Sequence, residues 1–255
     1  MSPERREPVG AGGSPPAERR VPSAECRALT FDCYGTLIDW ETGILKSLRS
    51  VLTPRRIQLD DDQLLSLFAA IESPIQQGPF RSYRDVLHAS MRRIADHLGF
   101  VPDGDEVSAL SRSLPDWPPF PDTVPALAAL GHRYRLGIIS NTDDDLFAGT
   151  ARRLETHFDW VITAQQAGSY KPSRNNFHRA LERIGLPWDQ VTHVAQSLYH
   201  DIGPARSLGL ATVWVNRRAG KSGFGATPAA RVLPDLEVPD LATLARIVDS
   251  YPPGP

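Results

Sequence analysis

An aspartate stands where an apolar run of the chain turns into a polar loop. The run 28–31 reads Ala-Leu-Thr-Phe, Asp32 follows it, and Gly35 and Thr36 come shortly after. The run predicts a buried strand, and Gly35 permits a sharp turn, so the Asp32 carboxylate should lie where the strand ends. Ligands of open α/β sheets bind at that edge, which makes Asp32 a candidate site residue. The Thr36 hydroxyl could hold a carboxylate or substrate oxygen. An aspartate before glycine is also typical of a plain turn.

Two further segments carry polar residues in comparable places. Ser140 and Asn141 end an apolar strand pattern in the way Asp32 does. Asp143, which follows them, is typical of a cap on the next helix. Lys171 precedes a proline in a loop before a helical pattern, from which a lysine can reach inward, although a lone loop lysine is usually solvated.

The rest of the chain alternates strand and helix patterns. The predicted strands are 28–31, 136–140, 160–163, 192–195 and 211–215, and the predicted helices between them are 124–130, 146–154, 176–184 and 203–208. Such alternation is typical of a parallel sheet covered on both faces. We therefore expect a doubly wound, Rossmann-like α/β core of five strands, with Asp32 at the end of the first.

The segment between the first two strands has a different character. Helical spacing marks 40–52, 64–71 and 83–98, no strand pattern interrupts it, and it closes in a proline-rich stretch. We expect a helical insertion, residues 41–117, in a core domain made of 26–40 and 118–255. Residues 1–25 are rich in proline, glycine and charge, and we expect them to be disordered.

Composition narrows the function classes. The formal net charge is -2, no basic block is interleaved with aromatic residues, and no apolar run approaches the roughly 20 residues that cross a bilayer. Nucleic acid and membrane are therefore not expected as partners. The chain has two cysteines, too few for a disulfide framework, so a cytoplasmic location is the expectation.

The string Phe-Asp-Cys-Tyr-Gly-Thr-Leu around Asp32 resembles the first motif of the haloacid dehalogenase (HAD) superfamily. Ser140-Asn141, Lys171-Pro172 and the segment ending in Asp201 resemble the second, third and fourth motifs. The resemblance implies that Asp32 is a nucleophile that forms a covalent intermediate. It further implies the supporting roles: Lys171 keeps Asp32 ionised, Asp201 assists a water molecule, and the carboxylate oxygens are positioned by Thr36, Ser140 and Asn141.

The form of the motifs resembles the 2-haloacid dehalogenase branch. HAD phosphatases carry a second aspartate two residues after the nucleophile, where this chain has Tyr34, and often two acids in the fourth motif, where this chain has one. The resemblance therefore implies hydrolysis of a small halogenated carboxylic acid with neither metal nor cofactor, under a helical cap formed by the insertion. The implied substrate contacts are Tyr34, Phe177, Gln196 and Ser197. A homodimer is common in that family.

The chain departs from the dehalogenase pattern in its cap. Those enzymes place an arginine on the first cap helix to receive the carboxylate or the halide, and the stretch 64–71 has none; Arg81 or Arg84 could substitute. Two alternatives stay open: a magnesium-dependent phosphatase of small phosphate esters, and a non-catalytic binding protein with the same fold.

Overall fold

The centre of the protein is a parallel sheet of six strands, in a computed structural model that describes residues 21–221 and 225–251. The strands are β1 (Ala28–Phe31), β2 (Arg135–Ser140), β3 (Trp160–Thr163), β4 (Val191–Ala195), β5 (Ala211–Val215) and β6 (Leu236–Val238). Their spatial order is β3-β2-β1-β4-β5-β6. The chain moves outward from β1 to one side and then fills the other side, so the direction reverses between β1 and β4. Sheets of this kind form their ligand crevice at such a reversal.

Helices connect the strands. Their bounds are α1 (Trp40–Leu52), α2 (Asp61–Gln76), α3 (Tyr83–His97), α4 (Gly104–Val107), α5 (Ala109–Ser113), α6 (Thr123–Gly131), α7 (Asp144–Leu154), α8 (Ala164–Ala167), α9 (Arg174–Ile184), α10 (Gly203–Ser207) and α11 (Leu241–Asp249). Local chemistry sets several ends: Asp60 and Gln63 form a reciprocal capping box at the start of α2, and α9 ends at Gly185 in the left-handed conformation.

Both faces of the sheet are buried. Leu29 and Phe31 of β1 join a core that includes side chains of α6 and α11 and extends to α1, α2 and α3. Ala28 points the other way, into a second cluster with side chains of α9 and α10. This alternation along one strand is what a sheet between two helical layers requires.

The predicted fold class is confirmed, with one strand more than expected. The additional strand β6 lies at the edge beside β5 and has three residues, Leu236, Glu237 and Val238. A run this short shows no periodicity, which is why the sequence pattern missed it. The short helices α4, α5 and α8 were missed for the same reason.

The described part of the chain begins at Val21, before residue 26, where the core domain was expected to begin. Of the tail predicted as disordered, residues 1–20 lie outside the described residues. Val21 is described and is buried, and the Tyr251 hydroxyl donates to its carbonyl at 3.0 Å. Among the described residues, none of the helices has the length and apolar character that a membrane span needs.

A close approach between α1 and the end of the helical segment depends on a glycine. A Cβ at Gly43 would lie 2.3–2.5 Å from three ring atoms of Trp117. Trp117 in turn meets the ring of Tyr34 edge to face, with centroids 6.0 Å apart. Gly43 therefore allows the indole to support the loop that follows β1.

We expect Gly43→Ala to lower the free energy of unfolding by about 1–3 kcal/mol, because overpacking at Trp117 outweighs the helix propensity that alanine adds. Gly104→Ala is the matched control, since a Cβ there meets no atom within 4 Å. Urea unfolding of both variants measures the difference; equal stability of the two would contradict the packing argument.

Candidate active site

The carboxyl ends of β1, β2 and β4 gather the predicted polar residues at one edge of the sheet. Phe31, the last residue of β1, is in register with Ile138 of β2 and Val194 of β4. Asp32 leaves the sheet between those two strands, and its N–H still donates to the Val194 carbonyl at 3.1 Å. The pocket at this edge is lined by eight of the predicted site residues: Asp32, Tyr34, Ser140, Asn141, Lys171, Gln196, Ser197 and Asp201.

The Lys171 ammonium is buried and has three acceptors. Nζ donates to Asp32 Oδ1 at 2.8 Å, to Asp201 Oδ1 at 2.6 Å and to the Ile139 carbonyl at 2.8 Å. These contacts use all three N–H donors of the ammonium. Burial disfavours a charged lysine, but the adjacent carboxylates raise the pKa of Lys171 above its ordinary value. Lys171 is thus a charged centre that joins the two aspartates.

Asn141 holds the backbone of Lys171, not the carboxylate of Asp32. The Lys171 N–H donates to Asn141 Oδ1 at 2.7 Å, and Asn141 Nδ2 donates to the Lys171 carbonyl at 3.1 Å. The expected role of Asn141 on a carboxylate oxygen is wrong, because this pairing engages both ends of its amide. The Ser140 Oγ is buried, has no hydrogen-bond partner among the described residues, and so does not bond the Asp32 carboxylate.

Thr36 holds the second oxygen of Asp32. Its Oγ1 donates to Asp32 Oδ2 at 2.8 Å and accepts from the N–H of Gln196 at 2.9 Å. Gly35 has φ +93°, a conformation that favours glycine, and so lets the chain turn back to make this contact. Burial raises the pKa of Asp32, while Lys171 and Thr36 favour its ionised form.

A buried histidine completes the network on the side of Asp201. His193 Nε2 donates to Asp201 Oδ1 at 3.0 Å, and its Nδ1 lies 2.9 Å from Thr30 Oγ1. Burial opposes ionisation of Asp201, but Lys171 and His193 outweigh it and lower its pKa. The sequence analysis did not single out His193 as a site residue. A polar residue inside the apolar run of a central strand was the signal that could have identified it.

The remaining predicted residues on the sheet side form walls of the pocket. The Tyr34 hydroxyl is 2.9 Å from Thr150 Oγ1, so its ring is fixed beside the pocket. Ser197 Oγ accepts from the N–H of His200 at 2.9 Å. Burial lowers the pKa of His200 to about 4, so its ring is neutral near pH 7.

Phe177 does not line the pocket. It is buried in α9 on the far face of the sheet, where its ring meets His193 edge to face at 5.1 Å between centroids. The family resemblance implied a substrate contact for Phe177, but the apolar face of α9 must turn toward the sheet. Arg81 and Arg84 are also outside the pocket lining, and Arg84 instead pairs with the exposed Asp145.

The helical segment and the start of α1 supply residues of the opposite wall that the sequence analysis did not name. Trp40, Glu72, Gln76 and Tyr83 line the pocket together with the residues of the sheet. Glu72 and Gln76 are four residues apart on α2, on the face that also buries Phe68. A glutamate in an apolar helical stripe was the available signal.

Asp143 joins the loop after β2 to the helical segment. Its carboxylate accepts from the backbone N–H of Tyr83 (2.8 Å) and of Arg84 (2.9 Å), so it caps α3. No side-chain hydrogen bond of Asp143 caps α7, the helix for which the cap was expected. The buried carboxylate satisfies donors of a helix that is distant in sequence.

The parallel sheet with flanking helices and a polar pocket at its carboxyl edge defines a Rossmann-like α/β protein. Residues 26–209 match the protein-family model described as haloacid dehalogenase-like hydrolase, and the chain therefore belongs to that family. The resemblance seen in the motifs is thus confirmed at the level of the family.

The relatives include enzymes of two activities. The chain is 27% identical over 246 residues to 5-amino-6-(5-phospho-D-ribitylamino)uracil phosphatase YigB of Escherichia coli, which covers 89% of this chain and 98% of the relative. It is 24% identical over 229 residues to (S)-2-haloacid dehalogenase 1 of a Pseudomonas species, covering 84% of this chain and 96% of that enzyme.

Two further similarities concern part of the chain and its fold. Haloacid dehalogenase-like hydrolase domain-containing protein 3 of Danio rerio is 34% identical over 127 residues, 48% of this chain, and the match spans about half (51%) of that relative. The crystal structure of an L-2-haloacid dehalogenase superimposes with a TM-score of 0.75 at 25% identity, covering 89% of this chain and 100% of the other.

We expect Lys171→Met to lower the free energy of unfolding by about 3–5 kcal/mol at pH 7.5, because it leaves two buried carboxylates without their cation. The loss should be smaller at pH 5. Without Lys171, burial raises the pKa of both aspartates above their unfolded values, and a group of this kind stabilises the fold at low pH and loses that contribution as pH rises.

Urea unfolding at both pH values measures this, and Lys46→Met, which removes an exposed lysine of α1, is the control. A loss of stability that does not depend on pH would contradict the charge argument.

Proposed function

We propose that the protein hydrolyses the carbon–halogen bond of a small 2-haloalkanoic acid through an aspartyl ester on Asp32, without a metal. One observation carries this proposal. The Asp32 carboxylate lies in the pocket with one oxygen held by Lys171 and the other by Thr36. A carboxylate fixed in this way, under a wall that excludes water, has the orientation that a nucleophile needs.

In the first proposed step, a carboxylate oxygen of Asp32 attacks the carbon that bears the halogen. A carbon–oxygen ester bond forms, the carbon–halogen bond breaks, and the halide leaves with the electron pair. Lys171 keeps Asp32 ionised before the attack. Tyr34 and Trp40 restrict the space around the reacting carbon.

In the second step, water attacks the carboxyl carbon of the Asp32 ester. The 2-hydroxy acid leaves with the original aspartate oxygen, the carboxylate is restored with an oxygen from water, and one proton is released. Asp201 lies on this pocket, and its Oδ2 has no hydrogen-bond partner among the described residues. We assign to this oxygen the orientation of the water.

The relationship to a phosphatase makes phosphate esters the alternative substrates. A magnesium ion would need several oxygen ligands directed at one point. Here the Lys171 ammonium lies between Asp32 and Asp201 and bonds an oxygen of each, and Tyr34 stands two residues after Asp32. These residues do not fit a magnesium site, and the proposed steps use none.

The helical segment 41–117 is the proposed cap over this site. Its helices α2 and α3 contribute Glu72, Gln76 and Tyr83 to the pocket opposite the end of the sheet. A wall of this origin can exclude solvent while the halide is displaced.

The test is halide release from chloroacetate, fluoroacetate and both enantiomers of 2-chloropropionate, in the presence of EDTA. We expect release by the wild type and a loss of at least about 10³-fold in Asp32→Asn, because the amide is a poor nucleophile. In a single turnover in ¹⁸O-labelled water, mass spectrometry should find the label in the peptide that contains Asp32.

Label in the hydroxy acid alone would contradict the ester intermediate. Absence of halide release, with magnesium-stimulated hydrolysis of an aryl phosphate, would instead support the phosphatase. A ligand that raises the melting temperature and is not consumed would support a binding protein.

A further inference from the structure

The pocket contains a buried acid that the proposed reaction does not use. Glu72 of α2 is 3% exposed and faces the pocket from the side opposite the sheet. Glutamate is among the residues least often buried without a partner, so its place here calls for a physical reason. It forms no salt bridge with a lysine, arginine or histidine in the described part of the chain.

Hydrogen bonds fix the Glu72 carboxyl relative to the sheet. Asn141, which holds Lys171, also donates from Nδ2 to Gln76 Oε1 at 3.4 Å. Gln76 Nε2 then donates to Glu72 Oε1. One carboxyl oxygen of Glu72 is therefore engaged with Gln76, and the carboxyl is oriented by the same asparagine that positions Lys171.

The charge of the pocket is unsuited to a free anion. Among the described residues that line it, Lys171 is the sole lysine or arginine, and it is already bonded to two carboxylates. With Asp32 and Asp201 ionised the lining carries one net negative charge, and an ionised Glu72 would add a second. A 2-haloalkanoate would meet repulsion at this wall unless Glu72 were neutral.

We infer that Glu72 binds the substrate carboxylate as a neutral carboxylic acid, donating its proton in a hydrogen bond. The inference rests on the proposed function, since it assumes an anionic substrate. Glu72 is thus a residue that determines substrate specificity. A carboxylate binds when Glu72 carries its proton, so binding weakens as Glu72 loses that proton.

The surroundings of Glu72 support a proton on it near neutral pH. Burial raises the pKa of Glu72 to about 7, although Tyr83 and Gln76 favour the ionised form. The groups that face it from other elements are Tyr34, Tyr83 and Tyr170, and across the pocket Asp32, Lys171, His200 and Asp201.

Most of these neighbours keep one charge between pH 6 and 9. Burial raises the pKa of each tyrosine, His200 has a pKa of about 4, and the carboxylates raise the pKa of Lys171. The titration of Asp32 must be distinguished from that of Glu72, because burial raises the pKa of Asp32 too. A variant at each acid achieves that separation.

The first experiment compares a charged with a neutral substrate. For the wild type we expect KM for chloroacetate to rise about tenfold per pH unit above pH 7, and KM for chloroacetamide to stay constant between pH 6 and 9. In Glu72→Gln, which keeps a neutral donor, KM for chloroacetate should lose that rise. Glu182→Gln, an equal charge change on the exposed side of α9, should behave as the wild type.

The second experiment does not require turnover. Titration with propionate, followed by intrinsic tryptophan fluorescence, to which Trp40 in the pocket contributes, should give a Kd that rises about tenfold per pH unit above pH 7 in the wild type and in Asp32→Asn, but not in Glu72→Gln. Propionamide should bind with a Kd independent of pH.

The outcomes separate this inference from the proposed reaction. Failure of halide release together with the expected propionate profile would remove the reaction and keep Glu72 as a carboxylate site. A propionate Kd that is constant from pH 6 to 9, a rise that survives Glu72→Gln, or no propionate binding at pH 6 would each overturn the assignment of Glu72.

Discussion

The Lys171 ammonium lies 2.8 Å from Asp32 and 2.6 Å from Asp201, and its side chain is 1% exposed. A buried cation is stable only when its charge and its donors are satisfied, and here two carboxylates and a main-chain carbonyl satisfy them. The three chain segments that bring these groups together are far apart in sequence. The register of β1 against β2 and β4, the turn at Gly35 and the loop before α9 all have to be correct for this cluster to form.

The parts of the site that the sequence predicted are those that the sheet topology determines. Asp32 follows the apolar run of β1 and Ser140 ends that of β2, and parallel strands bring such positions to one edge whatever the loops do. The role of Asn141 was not predictable in this way, because its amide is engaged by the backbone of Lys171, 30 residues further along the chain. Phe177 was misplaced because spacing along the chain does not say which face of a helix is buried.

The pocket residues on α2 and α3 were harder to predict from the sequence than the positions of Asn141 and Phe177. Whether a polar residue on a helix faces solvent, protein or a pocket depends on what lies opposite, and for Glu72 that is an edge of a sheet assembled from other segments. The stripe of apolar residues on α2 showed that this face is buried, so the glutamate within it was visible in the sequence. The role of Glu72 could be inferred only from the positions of Asn141 and Gln76 in the structure. Sequence patterns therefore located the proposed reacting groups better than the residue proposed to select the substrate.

The contact between Asp143 and α3 bears on how the pocket is entered. The Tyr83 and Arg84 amides donate to the two carboxyl oxygens of Asp143, which is buried. Any displacement of α3 from the sheet must break both bonds and expose both amide protons. When reclosing is faster than chemical exchange, the exchange rate at these two amides divided by their intrinsic rate sets an upper limit on the fraction of time that α3 is displaced from the site.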